Sequence, residues 1–226
     1  MNGSLLAGEF PFCRGPAGGP GYHDGVAKPY RGSLIKELER AQEHVKDLAA
    51  ALRSLKARLD SEGIAFAVIG ALAVQKHGFW RFTEDIDLLT TPEGLDRIHQ
   101  RFGGRGLNPR GPGLRKKLRD SEHEVNVDVI TSGEHAGAAG SPIVYPEPTS
   151  DWFVEEDGIR YPTLQRLIEI KLASHLWGHR AHDLADIVRL IQHHKLDRAF
   201  AQQLHPALRA KFIEAVETAG LERDIE

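Results

Sequence analysis

The chain has one cysteine in 226 residues, Cys13, which excludes an internal disulfide and points to a reducing, cytoplasmic compartment. That thiol lies in a glycine- and proline-rich stretch whose sole flanking cation is Arg14, so it reads as incidental rather than catalytic. Long apolar runs are missing too, and residues 1–12 lack the basic start and extended apolar centre of a signal peptide. No membrane partner is expected. Nor is there an excess of charge of one sign. The 29 Lys and Arg against 32 Asp and Glu leave a net charge of −3, which makes no global case for nucleic-acid binding but leaves room for a local basic surface. What remains is an ordinary globular composition, 41% hydrophobic and 27% charged, long enough for one substantial core or two small ones.

Residues 1–32 carry Gly15-Pro16 and Gly18-Gly19-Pro20-Gly21 with few branched apolar side chains, and are expected to be a flexible tail. Leu34, Leu38, Ala41, Val45, Leu48, Leu52, Leu55 and Leu59 then recur at helical spacing, predicting a long amphipathic helix over 33–59 with Ser33 as its N-cap. A buried strand is expected at 64–69, a helix at 71–77 stopped by Gly78, and a second strand at 85–89. Thr91 before Pro92 predicts a capped helix over 92–102. Residues 103–113 read as a loop, followed by strands at 114–119 and 124–131 around a turn at 120–123. After a Gly- and Pro-rich excursion at 132–148, residues 152–155 and 159–161 predict a hairpin across Asp157-Gly158. From Thr163 the pattern is helical throughout, at 164–176, 181–193 and two shorter helices near the end. The expectation is an α/β core with its N-terminal helix over 33–162 and a C-terminal helical lobe over 163–226.

Two segments carry candidate chemistry: Ala67-Val68-Ile69-Gly70-Ala71 and Thr83-Glu84-Asp85-Ile86-Asp87-Leu88. On a strand, Asp85 and Asp87 share a face with their carboxylates roughly 6–7 Å apart, while Ile86 and Leu88 face the core. In Val125-Asn126-Val127-Asp128-Val129-Ile130 the same alternation puts Asp128 opposite the buried valines. If the two strands pair, three carboxylates converge, an arrangement that a divalent cation neutralises. The alternative for each aspartate is a plain solvated strand face.

This ordered set resembles the nucleotidyltransferase-fold superfamily that includes DNA polymerase β, through Ile69, Gly70, Ala71, Asp85, Asp87 and Asp128. Lys171-Leu172-Ala173 followed by Arg180-Ala181-His182-Asp183-Leu184-Ala185-Asp186 is similar to the Lys…Arg-x-Lys-Asp-x-x-Asp pattern of AbiEii-type nucleotidyltransferases, as is Arg81-Phe82-Thr83. The resemblance covers roughly residues 62–195. It implies a mixed β-sheet flanked by helices and transfer of a nucleoside monophosphate from a nucleoside triphosphate to a hydroxyl of RNA, a protein or a small molecule. It also implies Mg²⁺ or Mn²⁺ on Asp85, Asp87 and Asp128, the same three acting in catalysis. Gly70, Ala71, Arg81, Thr83 and Lys171 would contact nucleotide and phosphate. A toxin-like role with an antitoxin partner follows by analogy.

The sequence departs from that pattern at Ala71, where the family has Gly or Ser, and at His182, where it has Lys. The alternative is an inactive nucleotide-binding or protein-interaction module on the same fold. Other readings stay open at this point. Lys171 reaches a phosphate or snorkels from an apolar face, and Asp183 and Asp186 pair with Arg180 and Arg189 or act in the site. The run Arg105, Arg110, Arg115, Lys116, Lys117 and Arg119 is a substrate surface or a solvated loop. His175, His179 and His182 lack the partners of a zinc site.

Overall fold

The computed structural model describes residues 43–223, with side chains over 48–220. The expected tail at 1–32, Cys13, Ser33 and the first part of the long helix lie outside the described residues. Helix α1 spans Glu43–Ser61 and buries Leu48, Leu52, Leu55 and Leu59, the stripe its spacing implies. After the left-handed turn at Gly63, strand β1 (Phe66–Ile69) leads without a loop into α2 (Gly70–Lys76). Then come β2 (Asp85–Thr90) and α3 (Pro92–Phe102), the latter capped by Thr91 Oγ1, which accepts from Gly94 N at 2.9 Å. Strands β3 (Leu107–Pro109), β4 (Lys117–Asp120) and β5 (Asn126–Thr131) follow.

These five strands form one mixed sheet in the order β1-β2-β5-β4-β3, parallel between β2 and β5 and antiparallel elsewhere. Strands β6 (Phe153–Glu156) and β7 (Ile159–Pro162) make a separate hairpin, with Asp157 and Gly158 both at positive φ in its turn. Helices α4 (Leu164–Gly178) and α5 (Ala181–His194), two 3₁₀ segments (Arg198–Gln203 and Pro206–Leu208) and α6 (Arg209–Arg223) complete the described chain.

The strand period of two divides the core between the two faces of the sheet. Phe66, Val68, Ile86, Leu88, Val127 and Val129 pack toward α1 and α3. Ala67, Ile69 and Leu89 share a second cluster with α2 and the C-terminal helices, including Leu172, Ile187 and Phe212. Asp85 and Asp87 alternate onto this second face, so the C-terminal helices cover the carboxylates. The fold is therefore mixed α/β, a mixed sheet flanked by helices, as the sequence predicts.

Three expectations need correction. Residues 103–113 are not all loop: β3 lies within them because Leu107 is buried and the segment pairs with β4, a strand too short to show a period. Strand β4 begins at Lys117, since residues 111–117 form turns closed by Leu114 N to Gly111 O and Lys117 N to Leu114 O. The last helix is 15 residues long rather than short. Its buried face of Phe212, Ala215 and Ala219 uses small residues that weaken the apolar signal. Among the described residues no helix is long and apolar enough to cross a membrane.

Leu88 is fully buried in β2, an interior strand of the sheet. We expect Leu88→Ala to cost about 2–5 kcal/mol of unfolding free energy in urea titrations, and a cost under about 1 kcal/mol would show that this face is not the core.

Candidate active site

The parallel register sets Asp87 directly opposite Asp128, and Asp85 opposite Asn126. Neighbouring strands are about 4.8 Å apart, so two like charges face each other across one ladder step. The sheet disperses that charge with specific donors. Asn126 Nδ2 donates to Asp85 Oδ1 at 3.0 Å, Arg110 donates to Asp128 Oδ1 at 2.6 Å, and Lys117 binds Asp128 Oδ2. Asp87 has no such partner among the described residues. Burial pushes its carboxyl above the ordinary 3.8; the charge of Lys171 opposes this, and that of Asp128 adds to it.

Gly70 shapes the other side of Asp87. Its φ is +65°, and a Cβ placed there would stand 1.8 Å from Asp87 Oδ2. The glycine between β1 and α2 is therefore required by the carboxylate, whatever else approaches the turn.

The far wall of the cleft comes from α4 and α5. Lys171, 5% exposed, donates to Asp183 Oδ1 at 2.8 Å and to Asp186 Oδ2 at 2.6 Å. Arg81 crosses from the α2–β2 connection to bind both oxygens of Asp186, at 3.0 and 2.8 Å, and Gln75 Nε2 holds the Arg81 carbonyl. Asp183, 2% exposed, keeps one oxygen, Oδ2, without a hydrogen-bond partner. Tyr145 closes the cleft. Burial and the charge of Asp87 raise its phenol well above the ordinary tyrosine range, so it stays protonated.

Of the residues expected from sequence, Gly70, Ala71, Arg81, Asp87 and Lys171 line this one cleft, and Asp85 and Asp128 flank Asp87 on the sheet. Thr83 does not line it; its Oγ1 lies 3.4 Å from Asp85 N at the start of β2. Lys171 neither snorkels nor presents a free ammonium to the cleft, because Asp183 and Asp186 bind it. Asp183 approaches Arg180 Nε at 3.4 Å as one reading foresaw, but Asp186 pairs with Lys171 and Arg81 rather than Arg189. In the basic run, Arg115 pairs with Asp96, Lys116 with Glu134, and Arg110 and Lys117 with Asp128.

Sequence reasoning missed Tyr145 and Ser174. Tyr145 lies in the Gly- and Pro-rich excursion, where no periodicity marks a buried side chain. Among the described residues, Asp120, Glu122 and His123 alone bring three metal-competent groups within 4.8 Å of one another. Arg58 already donates there, to Asp120 at 3.2 Å and Glu122 at 2.7 Å, tying α1 to the turn before β5.

In overall shape the chain is similar to solved nucleotidyltransferases. A crystal structure of ANT(2")-Ia in complex with adenylyl-2"-tobramycin matches 72% of this chain and 95% of its own, at 13% identity and a TM-score of 0.47. A putative nucleotidyltransferase from H. pylori matches 81% and 94%, at 16% identity and 0.43. JHP933 from Helicobacter pylori matches 80% and 92%, at 15% identity and 0.45. No family model and no curated protein matches the sequence.

Two outcomes test the geometry around Asp87. Gly70→Ala should lose at least about 1 kcal/mol in chemical unfolding, and the loss should shrink in an Asp87→Ala background, where the overlapping oxygen is gone. An equal loss in both backgrounds would detach Gly70 from Asp87. For pH, a carboxyl raised above 3.8 in the fold binds more protons there than in the unfolded chain. The stability it contributes is full below 3.8 and is lost as pH rises through its raised native value. Asp87→Asn should therefore melt higher than the unaltered protein in metal-free buffer at neutral pH, with the gap closing below 3.8.

Proposed function

We propose that this protein is a Mg²⁺- or Mn²⁺-dependent nucleotidyltransferase that moves a nucleoside monophosphate from a nucleoside triphosphate to a hydroxyl acceptor. The observation that supports this most is the register of β2 on β5, which sets Asp87 across from Asp128 while Gly70 presses on Asp87. A structural strand face has no use for a half-buried carboxylate that lacks a hydrogen-bond donor among the described residues and stands beside another acid. Hard divalent cations take carboxylate oxygens, and the donors here are of that kind.

Asp85 and Asp87 are the residues that would hold the ion, with Asp128 beside them. Bound there, the cation supplies neutralisation of the triphosphate and of the charge that develops on the departing pyrophosphate. Gly70, having no side chain, leaves the backbone at the start of α2 open to phosphate oxygens. Arg180 lines the opposite wall of the cleft and is the cation there that would meet the anionic substrate. Asp128 would take the proton of the attacking hydroxyl, with Arg110 and Lys117 shifting from Asp128 to the substrate's phosphates. Catalysis is then mainly positioning and charge neutralisation.

The acceptor class is an RNA end, a protein hydroxyl or a small molecule. The AbiEii-like pattern of Lys171, Arg180, Asp183 and Asp186 supports a toxin-like role with an antitoxin partner in the cytoplasm. Two observations favour a second reading, an inactive nucleotide-binding or interaction module: Arg110 and Lys117 already satisfy Asp128, and Ala71 offers no hydroxyl to phosphate.

Labelled nucleoside triphosphates incubated with Mg²⁺ and total RNA, protein or metabolite fractions separate the two. Asp85→Asn should reduce label transfer at least about 100-fold with an unchanged melting temperature. Nucleotide binding by the unaltered protein with no transfer to any fraction would favour the module.

A further inference from the structure

The acid-bearing face of the sheet has two different surroundings. Over β1 and β2 it is buried, with Ala67, Ile69 and Leu89 packed against the C-terminal helices. Beyond Asp128 it opens. The register sets Lys117 beside Asp128 and Arg119 beside Asn126, which itself stands beside Asp85, so both cations share the face of the three aspartates. Both are exposed, whereas Leu118 and Asp120 alternate into the core on the far side. Lys117 and Arg110 meet one acid, Asp128, which leaves a positive surplus there. Arg119 meets Glu124 at 3.9 Å, an exposed pair of little strength. Arg115 belongs to the same basic run but pairs with Asp96 of α3, the helix packed on the opposite face.

Two exposed aromatic rings stand at one end of this surface. Trp80, 47% exposed, and Phe82, 63% exposed, lie in the connection that delivers the chain to Asp85. Asp85 opens β2 opposite Asn126, and Arg119 lies opposite Asn126 on β4. The connection therefore enters the sheet on the row that ends in Arg119. Between the two rings, Arg81 lines the cleft and is held by Asp186, so an anchored segment carries them.

A single-stranded polynucleotide offers what such a surface takes: a phosphate at every repeat for the cations and a π-face on every base for the rings. A small molecule is better held in a concave pocket, since an open sheet face encloses little of it. A protein carrying the acceptor hydroxyl brings no repeated negative charge.

We propose that the hydroxyl acceptor is the end of a single-stranded polynucleotide, with its phosphates on Lys117 and Arg119 and its last bases against Trp80 and Phe82. This rests on the nucleotidyltransferase reading and names the acceptor class of that site. The terminal hydroxyl oxygen, arriving beside Asp128, bonds the α-phosphorus of the nucleoside triphosphate. The bond from that phosphorus to the β-phosphate oxygen breaks, pyrophosphate leaves, and the proton passes to Asp128.

The test uses the full chain in Mg²⁺ with end-labelled RNA and DNA oligonucleotides of about 12 nucleotides, read by fluorescence anisotropy and by transfer of nucleoside monophosphate to the terminal hydroxyl. At least one of the two should bind and accept. Arg119→Gln should weaken binding about 3-fold or more and lower the slope of log affinity against log salt by about 0.7. Trp80→Ala and Phe82→Ala should each weaken it about 5-fold or more, and all three variants should lose transfer in step, with folding checked by circular dichroism. Arg115→Gln should change neither readout. Binding of neither oligonucleotide, or an equal loss in Arg115→Gln, overturns the inference. Transfer to a protein or metabolite fraction with none to either oligonucleotide overturns it and leaves the nucleotidyltransferase reading standing. Capture by anionic phospholipid vesicles without oligonucleotide binding assigns the surface to a membrane and overturns it too. Absence of transfer to every fraction from every triphosphate overturns both readings. The unaltered protein decides between oligonucleotide and other acceptors even if a variant does not fold.

Discussion

Two carboxylates of like charge held one ladder step apart on parallel strands are the constraint around which this structure is arranged. Asp87 and Asp128 face each other because β2 and β5 run in register, and the electrostatic cost of that pairing appears in every group nearby. Arg110 and Lys117 reach across the sheet edge to Asp128, and Asn126 turns its amide toward Asp85. Asp87 remains without a donor beneath the C-terminal helices, in contact with a glycine that could not be any other residue without displacing it. The fold bears that cost at Asp87 although a leucine or an asparagine there would relieve it.

The second organising feature is the cluster of buried Lys171, Asp183 and Asp186 with the partly exposed Arg81. It links three parts of the chain that are distant in sequence: α4, α5 and the connection before β2. Burying three of these charges is expensive, and the attraction within the cluster offsets this only because the geometry is close and nearly every polar atom is paired. The exception, Asp183 Oδ2, makes no hydrogen bond but lies 3.4 Å from Arg180 Nε. The cluster's rigidity follows from the pairing, since moving Lys171 would leave two buried aspartates uncompensated.

Legibility along the chain tracks signal strength. Helix α1, helix α3 with its Thr91 cap, and strands β2 and β5 are legible because period and capping chemistry agree over many residues. Strand β3 is not, since three residues carry no period, and α6 is obscured because its buried positions are largely alanine. At the site, Gly70, Asp85, Asp87 and Asp128 stand out in sequence through type and alternation. Tyr145 does not, because a single aromatic in an irregular, glycine-rich segment has no local pattern to report its burial. Lys171 was visible, but its partners were not: whether a lysine on an apolar helix face snorkels, binds phosphate or forms an ion pair depends on residues 12 and 15 positions away.

By itself, then, the sequence determined which side chains share a face, since alternation on a strand and spacing on a helix are local properties of the backbone. It therefore assigned Asp85 and Asp87 to one side of β2 and Asp128 to the polar side of β5. Only the tertiary structure decided that β2 and β5 are neighbours in parallel register, that the C-terminal helices cover the acidic face, and that Tyr145 and Asp183 meet the same cleft. Those outcomes depend on long-range packing and on the mutual neutralisation of charges, and no single segment of the chain encodes either.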